Sequence, residues 1–162
     1  MVTSRNDREL RLIIAGSRYI TEYRLLERAM VRSGFRPTVV LSGTCRGVDL
    51  LGERWAKAHG VPVERYPADW RLKPKYAGNL RNTTMVLEAD ALVCLWEGWA
   101  VRDDGGAADV ILKAMTHGLL VREYTATELR VPTAVEITLG LGGSPPAKHW
   151  SPTVRKPSKR PG

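Results

Sequence analysis

The sequence predicts an α/β domain built on a doubly wound, mainly parallel sheet of five strands or slightly more, with helices on both faces. Short apolar, β-branched runs alternate along the chain with segments whose apolar residues recur at helical spacing. That order generates parallel strands joined by crossover helices. The run Ala91-Leu92-Val93-Cys94-Leu95-Trp96 is continuously apolar, the pattern of a strand covered on both faces. Together these features define a Rossmann-like build.

Residues 1–9 are polar and read as a flexible N-terminus. Leu10 to Ala15 forms an apolar run that stops at Gly16, which gives a first strand and its turn. Thr21 is a candidate cap for a helix in which Leu25, Leu26, Ala29 and Met30 share a face, and Gly34 ends it. Beyond Pro37, Val39-Val40-Leu41 reads as a second strand that runs into Ser42-Gly43-Thr44-Cys45-Arg46-Gly47-Val48-Asp49. Leu50, Leu51, Trp55 and Ala56 then resume a helical period that closes at His59-Gly60. Val61 to Tyr66 reads as the third strand, Pro67 to Tyr76 as a loop and Ala77 to Glu88 as a helix. After the central strand, Glu97 to Gly106 reads as a loop and Ala107 to Thr116 as a helix with Val110, Ile111 and Ala114 inward. Leu119 to Tyr124 is the fifth strand, and residues 125–139 read as either an edge strand or a short helix.

A chain of 162 residues with 43% hydrophobic content can bury one core, so a single domain over residues 10–139 is expected, followed by a basic Pro/Gly-rich tail at 140–162. Lys148, Arg155, Lys156, Lys159 and Arg160 carry most of the net charge of +8, and residues 147–162 contain no acid. A solubilising terminus and a weak nucleic-acid contact both fit such a tail. Cys45 and Cys94 read as thiols, and the isolated His59, His117 and His149 offer no zinc spacing, so neither a metal nor another cofactor is expected. Neither a secretory signal nor an apolar run near the ~20 residues of a membrane span is visible, so a cytoplasmic protein with no membrane partner is expected.

In a doubly wound sheet, ligands sit at the carboxyl ends of the strands, where the strand order switches. Chemistry-bearing residues cluster there: Gly16-Ser17-Arg18, Ser42 to Asp49, Pro67-Ala68-Asp69-Trp70, and Glu97 to Asp109. Gly43 and Gly47 leave backbone amides open to a phosphate at a helix N-terminus, and Arg18 and Arg46 can add bidentate contacts. Asp49 fits either a ribose contact or a helix cap. Trp70 and Trp99 stand in loops where they can stack a base, whereas Trp96, ending a buried strand, reads as core. Cys45 lies beside Arg46 near a helix start, but no local histidine serves it as a base, so a small residue for the turn is the simpler reading.

The segments Ala15-Gly16-Ser17-Arg18, Ser42-Gly43-x-x-Arg46-Gly47-Val48-Asp49, Ala68-Asp69-Trp70 and Ala77-Gly78-x-x-Arg81-Asn82-x-x-Met85 occur in one order. In this the chain resembles the SLOG superfamily, in particular its YspA- and cpYpsA-related branch, across roughly residues 10–124. The resemblance implies a scaffold for nucleotides or nucleotide-derived ligands, related to the LOG phosphoribohydrolases and to the DNA-processing protein DprA. It implies ligand contacts from Gly16, Ser17, Arg18, Ser42, Gly43, Arg46, Gly47, Asp49, Asp69, Trp70, Asn82 and Gly106. In the LOG relatives an arginine and a glutamate serve N-glycosidic cleavage of nucleoside monophosphates; Arg81 and Asp109 fall on those positions and are the catalytic candidates if the protein is an enzyme. A homodimer or higher homo-oligomer is implied as well. The chain departs from the pattern at Ala107, where threonine is usual, in the long loop Glu97 to Gly105, and at Thr44 and Cys45. Three functions follow: binding of a nucleotide-derived ligand for sensing or sequestration, N-glycosidic hydrolysis, and DprA-like nucleic-acid binding. AMP-like molecules, cyclic nucleotides, ADP-ribose derivatives and nucleotide sugars all fit as ligand.

Overall fold

The computed structural model describes residues 9–98 and 105–143. Residues 1–8, Trp99, Arg102 and their neighbours in the long loop, and the basic tail lie outside the described residues.

Five strands, β1 (Arg11–Gly16), β2 (Val39–Ser42), β3 (Val63–Arg65), β4 (Ala91–Trp96) and β5 (Leu120–Thr125), form one sheet in the order β3-β2-β1-β4-β5. Every pairing is parallel. The helices are α1 (Tyr23–Ser33), α2 (Val48–Ala58), α3 (Ala77–Glu88) and α4 (Gly105–Thr116), followed by the short α5 (Ala126–Leu129) and α6 (Ala134–Thr138).

The apolar runs of β1 and β4 divide by residue parity between two cores, because successive strand side chains point to opposite faces. Leu12, Ile14, Val93 and Leu95 pack with Leu25, Leu26, Val48 and Trp55 of α1 and α2. Ile13, Leu92, Cys94 and Trp96 pack with Met85, Val86, Val110 and Ile111 of α3 and α4. Both faces of the central strands are therefore covered, which is why β4 shows no polar alternation. Trp96 is core, and its indole Nε1 donates to Glu123 Oε2 at 3.1 Å.

Several boundaries differ from the sequence expectation. The N-cap of α1 is Glu22, without a side-chain capping bond, and not Thr21. β3 holds three residues where six were expected; it is the sheet edge, and the Val61 N–H is spent on Ala56 O at the end of α2. α4 starts at Gly105 and not at Ala107, and β5 starts at Leu120 because the Leu119 N–H bonds to Ala114 O at the end of α4. Residues 125–139 take the helical alternative. Thr125 caps α5 by accepting from the Glu128 N–H, and Thr133 with Glu136 forms a capping box on α6.

These short helices are held by arginines of α1. Arg28, only 5% exposed, donates to the carbonyls of Leu129 (2.9 Å), Arg130 (3.2 Å), Leu141 (2.8 Å) and Gly142 (2.7 Å). Arg32 pairs with the buried Glu136 at 2.7 Å. Burial raises the pKa of Glu136, but hydrogen bonds from Arg32 and Thr133 outweigh it and hold the carboxyl at about 2. Among the described residues no helix is long and apolar enough to cross a membrane.

Candidate functional site

The strand order reverses between β1 and β4, and an open cleft with about 660 Å³ of empty space lies at their carboxyl ends. Gly16 and Arg18 line it from the end of β1, Cys45 from the β2–α2 connection, Asp49 from the first turn of α2, and Trp70 and Lys75 from the loop before α3. Asn79, Arg81 and Asn82 contribute from α3, and Gly106 from the first turn of α4.

Glycine is required where the loops meet. Gly47 has φ +81°, and a Cβ there would lie 2.3 Å from Ser17 O. The same carbonyl accepts the Val48 N–H at 3.1 Å, so the first amide of α2 ties the β2 loop to the β1 loop. Gly16 approaches β4 as closely: a Cβ would sit 2.2 Å from Leu95 O, which accepts the Ser17 N–H at 2.9 Å. The neighbouring Ser17 is buried, its Oγ accepting the Tyr19 N–H at 3.1 Å.

Asp49 does not cap α2, whose N-cap is Gly47. Its carboxylate reaches back across the turn, accepts the Cys45 N–H at 3.2 Å and is 6% exposed. A Cβ on Gly43 would lie 2.7 Å from Asp49 Oδ2 and 2.9 Å from Arg81 Nη1, so the bare Cα lets both side chains close over the loop. Ser42 is fully buried behind them, and its Oγ accepts from Thr44, which holds φ 65°.

Arg81 has a protein partner on each of its three nitrogens, the one to Nη2 being a long contact to sulfur. Nη1 donates to Gly43 O and to Tyr66 O (3.3 Å), and Nε donates to Asn82 Oδ1 at 2.8 Å. Nη2 lies 3.8 Å from Cys45 Sγ. Asn82 in turn donates from Nδ2 to Gly106 O (3.1 Å) and Asp109 Oδ2 (3.0 Å). Lys113 Nζ completes the chain, donating to Asp109 Oδ2 at 2.8 Å and to Asn79 O at 2.7 Å. Arg81 and Asp109 are thus connected through Asn82, with Asp109 one hydrogen bond behind the cleft wall.

The structure brings Gly16, Arg18, Asp49, Trp70, Arg81, Asn82 and Gly106 to the cleft and sets Ser42, Gly43 and Gly47 behind it. Two other candidates lie elsewhere. Asp69 Oδ1 accepts the Leu72 N–H within its own turn, and the exposed Arg46 stands 5.8 Å above the Tyr19 ring. Trp70 is 52% exposed, with its ring edge beside Gly78. Lys75 and Asn79 also line the cleft and were not singled out in the sequence. Asn79 has a legible signal, since it precedes Asn82 by three positions on one helix. Lys75 has none, because only the turns linking Lys73 to Asp69 and Ala77 to Lys73 carry it there. Neither Arg18 nor Lys75 makes a hydrogen bond or ion pair among the described residues. His59 and His117 each bond through Nδ1 to a carbonyl one turn back, away from the cleft. No metal-ligating group of three or more side chains occurs among the described residues.

Fold and site together define a Rossmann-like α/β domain with a polar cleft at the switch point of a five-stranded parallel sheet. The chain belongs to the YspA, cpYpsA-related SLOG family, whose model matches residues 10–72. It is similar to the Gene 61 protein of Mycobacterium phage D29, 38% identical over 94 residues that span 52% of this chain and 74% of the phage protein. The family match covers the β1 and β2 loops and Trp70, whereas Arg81, Asn82 and Asp109 lie beyond it.

Proposed function

We propose that the cleft binds a nucleotide-derived ligand, as a sensing or sequestering module. The observation that carries this reading is the pairing of Arg18 and Lys75, two cations without hydrogen-bond or ion-pair partners among the described residues, in one cleft with the exposed Trp70 ring. A phosphate satisfies the cations and a base stacks on Trp70. Family membership supports the same ligand class.

Binding is favoured over N-glycosidic hydrolysis by the position of Asp109, whose Oδ2 is occupied by Asn82 and Lys113. Native mass spectrometry of freshly purified protein tests the main reading by looking for a co-purified nucleotide. Calorimetry with AMP and adenosine follows, and equal affinity for the two removes the phosphate from the reading. Release of free base from AMP, followed by chromatography, would instead support hydrolysis.

Self-association is proposed through the outer faces of α3 and α4, where Leu80, Leu87, Leu112 and Met115 are exposed. The outer faces of α1 and α2 present Arg24, Arg54 and Lys57 beside a single exposed large apolar side chain, Leu50. A face of leucine and methionine suits an isologous contact with a second copy.

A further inference from the structure

We propose that Asp109 is a positioning residue that acts through Asn82 to fix the guanidinium of Arg81 in the cleft. This rests on the ligand-binding reading of the cleft and assigns Asp109 a role without contact to the ligand.

The orientation of the Asn82 amide carries the inference. Its Nδ2 faces two acceptors, Gly106 O and Asp109 Oδ2, while its Oδ1 faces the Arg81 Nε–H donor. Turning the amide over would set a carbonyl against two acceptors and an NH2 against a donor, so only one orientation satisfies all three contacts. Asp109 supplies one of the two acceptors that enforce it. Lys113 balances the carboxylate's charge and anchors it to Asn79 O on α3, so the ladder Lys113–Asp109–Asn82–Arg81 runs from α4 into the cleft at 2.8, 3.0 and 2.8 Å.

The consequence falls on Arg81. With Nε held by Asn82, Nη1 by Gly43 O and Tyr66 O, and one N–H of Nη2 directed at Cys45 Sγ, the plane of the guanidinium is set and the second N–H of Nη2 is the donor left for a ligand. A guanidinium held this way meets an anion without first losing rotamer freedom. Asp109 therefore contributes to anion affinity at second hand.

The test compares Asp109→Ala, which removes the acceptor, with Asp109→Asn, which keeps an oxygen able to receive the Asn82 amide. The first readout needs no ligand: NMR exchange of the Arg81 Nε–H. Exchange close to wild type is expected in Asp109→Asn, with about tenfold faster exchange in Asp109→Ala. Unchanged exchange in Asp109→Ala overturns the proposal. The second readout is calorimetry with AMP and adenosine. Asp109→Ala should lose about tenfold for AMP and little for adenosine, and Asp109→Asn should stay near wild type for both. Equal loss of AMP in both variants, with Arg81 exchange intact, would mean that Asp109 meets the ligand itself and would overturn the positioning role. Parallel loss of AMP and adenosine with a falling melting temperature would reduce Asp109 to a structural residue and overturn it too. Failure of wild type to bind AMP counts against the proposed function, while the exchange experiment still decides the positioning.

Discussion

Gly47 packs directly on Ser17, its Cα so close that a Cβ would stand 2.3 Å from the Ser17 carbonyl oxygen. This contact joins the β1 and β2 loops, and Gly47 holds it in a left-handed conformation at φ +81°. Gly47→Val should therefore destabilise the domain by about 2 kcal/mol or more as well as weaken AMP binding, because strain and clash act together. Denaturant unfolding and calorimetry check this. Lost affinity at unchanged stability would mean that Gly47 serves the ligand alone.

The single changes Arg18→Ala and Lys75→Ala should each weaken AMP by about tenfold while leaving adenosine nearly unaffected. Melting temperature should stay close to wild type, since neither cation has a partner among the described residues to lose. Equal losses for AMP and adenosine would remove the electrostatic basis of the site.

Glu136 makes the acid stability of the fold predictable. Its carboxyl is held at about 2, below the ordinary 4.5, so the native state binds its proton less readily than the unfolded chain. The stability it contributes is complete above pH 4.5 and is lost as pH falls through 2, amounting to up to about 3 kcal/mol. Glu136→Gln should be less stable at neutral pH and should show a flatter stability curve between pH 5 and 2. Identical slopes for variant and wild type would show that the Arg32 pairing contributes nothing in solution.

Leu112→Glu combined with Met115→Glu should abolish self-association, with the melting temperature nearly unchanged because both side chains are already exposed. Light scattering of wild type and variant checks this. A variant that keeps the wild-type subunit count would move the contact to another face.

Patterns that depend on near neighbours were legible in the chain itself. α3 and β4 match the sequence reading end to end, because helical periodicity and a doubly covered strand both write themselves into consecutive residues. The parallel five-stranded sheet and the clustering of Gly16, Arg18, Asp49, Trp70, Arg81, Asn82 and Gly106 at its carboxyl edge follow from the same logic, since strand-end loops converge wherever strands run parallel.

Features resting on contacts between distant segments came only with the tertiary structure. β3 is short because it is an edge strand whose preceding Val61 amide turns to α2, and residues 125–139 are helical where Arg28 and Arg32 of α1 receive them, about a hundred positions away in the chain. Lys75 reaches the cleft through the turns before α3, and Asp109 is drawn behind it by Asn82 and Lys113. The sequence alone determined which loops meet, through periodicity and the turn chemistry of single residues. Which side chain faces the cleft and which is spent inside the protein was settled by hydrogen-bond partners from other elements, whose positions no local pattern encodes.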